Sequence, residues 1–203
     1  MENEKKINIM FSVGQAPSPV LPQSVQKAQA RAPELPYYEY VQAFKSTHRN
    51  LPHWQEPGRV YFITFRTYKN LQLDEQSKQI IFNNIIHYSK IKYKLYSFVI
   101  MNDHVHIILQ PNEIEPGKYI NLSEIMHSIK SFTAKKIIKH LQYEWTETTV
   151  LPEKIFQSES YDRIIRTEDE LKEKMNYIHN NPIKKGLCED GYNYKWFYVL
   201  GKE

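Results

Sequence analysis

A single cysteine, Cys188, stands in 203 residues, so no intramolecular disulfide is available and no thiolate zinc cage can be built. Long apolar runs are missing too. No stretch approaches the ~18 residues that a membrane span needs, which excludes an integral membrane protein. Strong charge of one sign is also absent, since 27 lysine and arginine residues face 23 acidic ones, a net +4 at pH 7. That balance permits a polyanionic partner without demanding one. The early apolar run Ile7-Asn8-Ile9-Met10-Phe11-Ser12-Val13 is short for a signal-peptide core and is interrupted by Asn8. No internal repeat is visible. With 41% hydrophobic and 25% charged residues, the chain reads as one globular domain plus a tail, expected in the cytoplasm.

What is present is unevenly spread. Five of the eleven prolines fall between Pro17 and Pro36, among Ala, Gln and Ser, in a stretch with too little apolar surface to order itself. Residues 1–48 are therefore expected to be a poorly ordered tail, and residues 49–203 the domain. The texture changes at Tyr61-Phe62-Ile63-Thr64-Phe65-Arg66, a β-branched and aromatic run behind a Pro57-Gly58 turn signal, which predicts a first strand. Ile80, Ile81, Ile85, Tyr88 and Ile91 then recur at helical spacing and predict a helix between Asp74 and Tyr93.

Two apolar runs follow, Leu95 to Met101 and His104 to Leu109, separated by Asn102-Asp103. Those two residue types tolerate positive φ and predict a tight type I′ hairpin. Leu122, Ile125, Met126, Ile129, Phe132, Ile137 and Leu141 mark a second amphipathic helix with Asn121 as its cap. From Lys118 to His140 five lysines (Lys118, Lys130, Lys135, Lys136 and Lys139) face one acid, Glu124. The exposed side of that helix is a basic stripe, which suits a nucleic-acid backbone or a merely solvated face. A short strand-like piece lies within Lys154 to Ile165, after which Thr167-Glu168-Asp169-Glu170 matches a capping box. The third helix so opened is expected to stop near Asn181, because Pro182 disfavours α geometry before it and Gly186 follows. The order β-α-β-β-α-β plus a further helix predicts an α+β fold: a ferredoxin-like antiparallel sheet with helices on one face and an extra C-terminal helix.

Two small groups could carry chemistry. In His104-Val105-His106 strand alternation sends both imidazoles to one face, ~7 Å apart along the strand, where they can converge on one divalent cation or simply be core or surface histidines. Tyr177 and Asn181 stand four apart, so a phenol and an amide share one helix face. Tyr38 with Gln42 and Tyr68 with Gln72 offer a similar spacing, beside the tail and in a loop, on less rigid mounts. Neither spacing is specific alone.

The ordered set of segments is more telling. It runs Arg49-Asn50-Leu51-Pro52-His53-Trp54, Tyr61 to Arg66, Met101-Asn102-Asp103-His104-Val105-His106 and Ile125-Met126-His127-Ser128-Ile129-Lys130-Ser131-Phe132-Thr133-Ala134. It continues with Gln157-Ser158-Glu159-Ser160-Tyr161-Asp162-Arg163-Ile164-Ile165-Arg166 and Tyr177-Ile178-His179-Asn180-Asn181-Pro182-Ile183-Lys184-Lys185-Gly186-Leu187. In this order the chain resembles the single-tyrosine HUH transposases, and among them the REP-associated tyrosine transposases of bacteria, over about residues 49 to 199. Phe156 stands where that group usually has tryptophan, and Lys195-Trp196-Phe197-Tyr198 replaces its usual ending.

The resemblance implies a nuclease and strand transferase acting on single-stranded hairpin DNA in the bacterial cytoplasm, as a monomer or a homodimer. It implies that His104, His106 and Asn181 hold Mg²⁺ or Mn²⁺ and that the C-terminal helix presents Tyr177 as nucleophile, with Lys130, Lys135, Lys136, Lys184 and Lys185 contacting the DNA backbone. A phenol suits the nucleophile's part, because it leaves more easily than an alkyl alcohol and so conserves the bond for rejoining. The rival within the resemblance is a domesticated DNA-binding protein that no longer cuts, against which the intact set of four residues argues. A two-histidine phosphoesterase would need a second H-x-H motif, and the chain has one.

Overall fold

The structure is a computed structural model and describes residues 45–48, 52–143 and 151–201. In chain order the elements are β1 (Lys45–His48), β2 (Pro52–Gln55), β3 (Val60–Thr67), α1 (Glu75–Ser89), β4 (Tyr93–Ile100) and β5 (His104–Pro111). They continue with β6 (Glu113–Glu115), β7 (Lys118–Tyr119), α2 (Leu122–Tyr143), β8 (Phe156–Ile165), α3 (Glu168–Lys184) and β9 (Phe197–Val199). The pairs β1-β2 and β6-β7 are small separate ribbons, while the main sheet has the order β8-β3-β5-β4-β9. Each of its neighbouring pairs is antiparallel.

Period-two alternation along β3 and β5 divides the molecule. Tyr61, Ile63, Phe65, Val105, Ile107 and Leu109 face α1 and α2, where Ile81, Ile85, Ile125, Ile129 and Ile137 complete an apolar core. Val60, Phe62 and Ile108 face the other way, onto Leu171, Met175 and Ile178 of α3. The expected ferredoxin-like sheet is therefore present, with α1 and α2 on one face and the extra helix on the opposite one. α3 opens as its capping box predicts, Thr167 accepting a hydrogen bond from the Glu170 backbone N–H at 3.1 Å. α1 is capped by the Asp74 carboxylate on the Ser77 N–H.

Four local expectations differ from the structure. The connection from β4 to β5 is short as expected, but neither Asn102 nor Asp103 has positive φ, so the turn is not of type I′. Its carbonyls are used elsewhere: Asn102 accepts from the Leu73 N–H, and Asp103 from the N–H and hydroxyl of Thr67. α3 does not stop near Asn181 but runs through the buried Pro182 to Lys184. So near the end of a helix the proline forfeits a single backbone bond, and burial of its ring offsets that loss. Gly186, at φ +67°, then closes the helix in a Schellman motif, with Leu187 N–H on the Pro182 carbonyl and Gly186 N–H on that of Ile183. Lys118 lies in β7 and not on the helix. Finally, Phe197–Val199 adds a fifth strand beside β4, in keeping with the aromatic and β-branched run Trp196-Phe197-Tyr198-Val199. Of the expected tail, residues 1–44 lie outside the described residues, as do Tyr38 and Gln42, while residues 45–48 form β1.

Candidate active site

His104 and His106 occupy alternate positions of β5, opposite Arg66 and Thr64 of β3. Cross-strand partners share a face, so these four side chains and Phe62 form one patch beneath α3. The two imidazoles do face the same way: their ring centres are 4.8 Å apart. Both are buried, with 7% and 4% of their surfaces exposed.

Each ring is oriented through its Nδ1. His104 Nδ1 lies 2.6 Å from the Asp103 carboxylate, which can only accept when ionised, so the imidazole donates there. Asp103 is also 3.7 Å from the Arg66 guanidinium. Burial works to raise the Asp103 carboxyl, but the hydrogen bond from His104 and the electrostatic pull of the neighbouring imidazole and of Arg66 outweigh it and hold it below the ordinary range. His106 Nδ1 is 2.7 Å from Thr64 Oγ1, and its Nε2 is buried with no hydrogen-bond partner. A proton on Nε2 would be a buried unsatisfied donor, costing ~1–3 kcal/mol. The favoured tautomer therefore places the proton on Nδ1, donating to Thr64, and leaves a free lone pair on Nε2. Burial, then electrostatic repulsion from the His104 and Arg66 side, pushes His106 down to about 3, so the ring is neutral at physiological pH.

The third wall is α3. Tyr177 sets its ring edge-on to His106, 5.0 Å between centres, and edge-on to Phe62 at 5.8 Å, while Phe62 stacks on His106 at 5.6 Å. Although so engaged, Tyr177 is 42% exposed, leaving it accessible from solvent. Asn181 follows one helical turn later and is buried. All of this lies within one chain. Among the described residues no group of three or more His, Cys, Asp or Glu is arranged to hold a metal. The donor set available is instead two imidazoles and an amide. Two imidazoles oriented through Nδ1, His106 being neutral with its Nε2 lone pair buried and unpartnered, fit a divalent cation, as does the carboxylate behind His104.

The basic residues divide between the two faces. Lys184 and Lys185 are exposed at the end of the tyrosine helix. Lys135 and Lys136 are exposed on α2, across the sheet from the histidines. Lys130 ties α2 to β8 by donating to the carbonyls of Ser158 and Glu159. Sequence reasoning missed Thr64, Arg66, Asp103 and Phe62 as members of this patch. The only local signal was their alternation on β3 and the adjacency of Asp103 to His104.

Residues 59–181, well over half the chain, match the family described as Transposase IS200 like. The protein belongs to that family. Its fold is that of the REP-associated tyrosine transposase solved bound to a REP hairpin, at 19% identity and a TM-score of 0.56, covering 75% of this chain and 82% of that one. A second solved structure, a candidate transposase from Deinococcus radiodurans R1, is similar at 14% identity and a TM-score of 0.41, over 66% of this chain and 95% of that one. No curated protein matches the sequence.

Proposed function

We propose that this transposase-family protein is a metal-dependent endonuclease and strand transferase of the REP-associated type. On this reading it cleaves single-stranded hairpin or palindromic DNA through a 5′-phosphotyrosine at Tyr177. The observation that carries the reading is the edge-on contact of the half-exposed Tyr177 ring with His106, whose buried Nε2 has no partner. A half-exposed phenol edge-on to one of two oriented imidazoles suits phosphodiester chemistry, and Asn181 stands one turn from that phenol on the same helix. Hairpin DNA as the partner is carried over from the structural neighbour that binds one.

His104, His106 and Asn181 are the residues that would hold Mg²⁺ or Mn²⁺. Such a cation, when bound, neutralises charge on the non-bridging oxygens of the scissile phosphate. Asp103 holds His104 in place and Thr64 holds His106, so each ring presents Nε2 without rotating. Phe62 and α3 keep water from the inner side of His106. The Tyr177 oxygen attacks phosphorus as its proton passes to solvent. The P–O3′ bond breaks, and the departing 3′ oxygen takes up a proton. One phosphodiester replaces another, so the step needs no external energy, and attack by a 3′-OH on the phosphotyrosine reverses it. The complete set within one chain suits a monomer. Lys184 and Lys185 lie two turns beyond Tyr177, placed to meet the DNA backbone.

Incubation with a single-stranded hairpin oligonucleotide and Mn²⁺ is expected to give a covalent adduct that survives denaturing electrophoresis. Tyr177→Phe should abolish the adduct while retaining DNA affinity. An adduct in that variant would mean a different nucleophile, and binding without adduct in either metal would identify a non-cleaving DNA-binding protein.

A further inference from the structure

Tyr161 of β8 lies directly opposite Thr64 of β3, which in turn lies directly opposite His106 of β5. Side chains at such positions share a face, so Tyr161, Thr64 and His106 form one row across the sheet. The parity of β8 is fixed independently. Arg163, two residues on, pairs with Glu170 of α3 at 2.7 Å, and Ile165, two further, packs into the α3 core. The intervening Ser160 and Asp162 line the groove beside α2 on the opposite face. Two interstrand spacings, ~10 Å, separate Tyr161 from His106 along this row.

The ring is 49% exposed, and Arg163, itself held by Glu170, also hydrogen-bonds the Tyr161 side chain. Its phenol end is thus linked through Arg163 to the helix that carries Tyr177, while about half of the residue stays exposed. α3 covers the neighbouring part of this face on both sides of the histidines, packing on Tyr96, Val99 and Met101 as well as on Val60, Phe62 and Ile165, and Tyr161 is the half-exposed aromatic left in the row. A strand with a phosphate at the histidines that runs along this row passes over Tyr161.

We infer that Tyr161 is a stacking platform for an unpaired nucleobase within a nucleotide or two of the scissile phosphate. The inference rests on the proposed nuclease function and adds a base-binding subsite on the edge strand. Aromatic stacking is tolerant of base identity, so the platform would position the strand without reading its sequence.

The test uses the full chain and a labelled hairpin oligonucleotide with single-stranded thymidine extensions at both ends, in which one base at a time is removed to leave an abasic site. For the wild-type protein, fluorescence anisotropy should show one abasic position that weakens binding about tenfold. Tyr161→Ala should bind the intact oligonucleotide about tenfold more weakly and be insensitive to that same abasic position, whereas Tyr161→Phe should bind as wild type. A wild type indifferent to every abasic position, while still forming the adduct, overturns the platform and leaves the nuclease reading standing. So does a Tyr161→Phe loss equal to that of Tyr161→Ala, which would assign the contact to the hydroxyl. A wild type that neither binds nor forms an adduct overturns the nuclease reading and this inference together.

Discussion

On the side of α1 and α2, strands β3 and β5 contribute Tyr61, Ile63, Phe65, Val105, Ile107 and Leu109, an unbroken apolar layer. On the side of α3 the same two strands contribute Phe62, Thr64, Arg66, His104 and His106. Adjacent residues of one strand thus serve opposite ends, and the contrast explains how the second face can exist. Burying two imidazoles, one with an unpartnered nitrogen, costs stability. The dry face holds the strands in register despite that cost, so chemistry and packing are separated by the thickness of one sheet.

The largest effect should come from damaging the dry face. Ile107 is fully buried, and Ile107→Ala should cost ~2–5 kcal/mol of unfolding free energy in urea. A loss well under that would mean the α1–α2 core is not what holds β5. Acid should strike the other face. An unfolded histidine titrates near 6.5, whereas His106 is held down to about 3, by burial first. Between those values the unfolded chain binds the extra proton, so stability should fall as the pH drops through that window, at ~1.4 kcal/mol per pH unit. His106→Gln should flatten this dependence between pH 7 and 4, and an unchanged slope would place the acid sensitivity elsewhere. The depressed carboxyl of Asp103 acts in the same direction, its contribution being lost at the acid end, below ~3.9.

The smallest expected effect compares lysines on the two faces. Exchanging both Lys184 and Lys185 for glutamine should weaken binding of a hairpin oligonucleotide several-fold and reduce the salt slope by about 2. The same exchange at Lys135 and Lys136, across the sheet, should do less. The reverse order would show that the DNA lies mainly along α2.

Much of the site was legible locally. Alternation in His104-Val105-His106 put both rings on one face, and the capping box at Thr167 started the helix that carries Tyr177 in phase with Asn181. Glu170, the acidic partner in that box, instead binds the Arg166 N–H and the Arg163 side chain, because β8 brings those groups beside it. The support of the histidines was not legible. Thr64 and His106 are 42 residues apart, and no local pattern announces that one will fix the tautomer of the other. Pro182 misled for a related reason, since its local preference to end a helix gave way to burial of its ring.

By itself the sequence determined which residues share a face of each strand and helix, where α3 begins, and which side chains are able to hold a cation or attack phosphorus. Those properties follow from backbone periods and side-chain chemistry, which need no distant partner. Only the tertiary structure decided that Tyr177 meets His106, that Thr64 and Asp103 lock the two rings, and that most of the basic stripe lies on the far side of the sheet. Strand register and helix docking are set by packing between segments far apart in the chain, and the contact of Tyr177 with the paired histidines exists only once those segments have closed on one another.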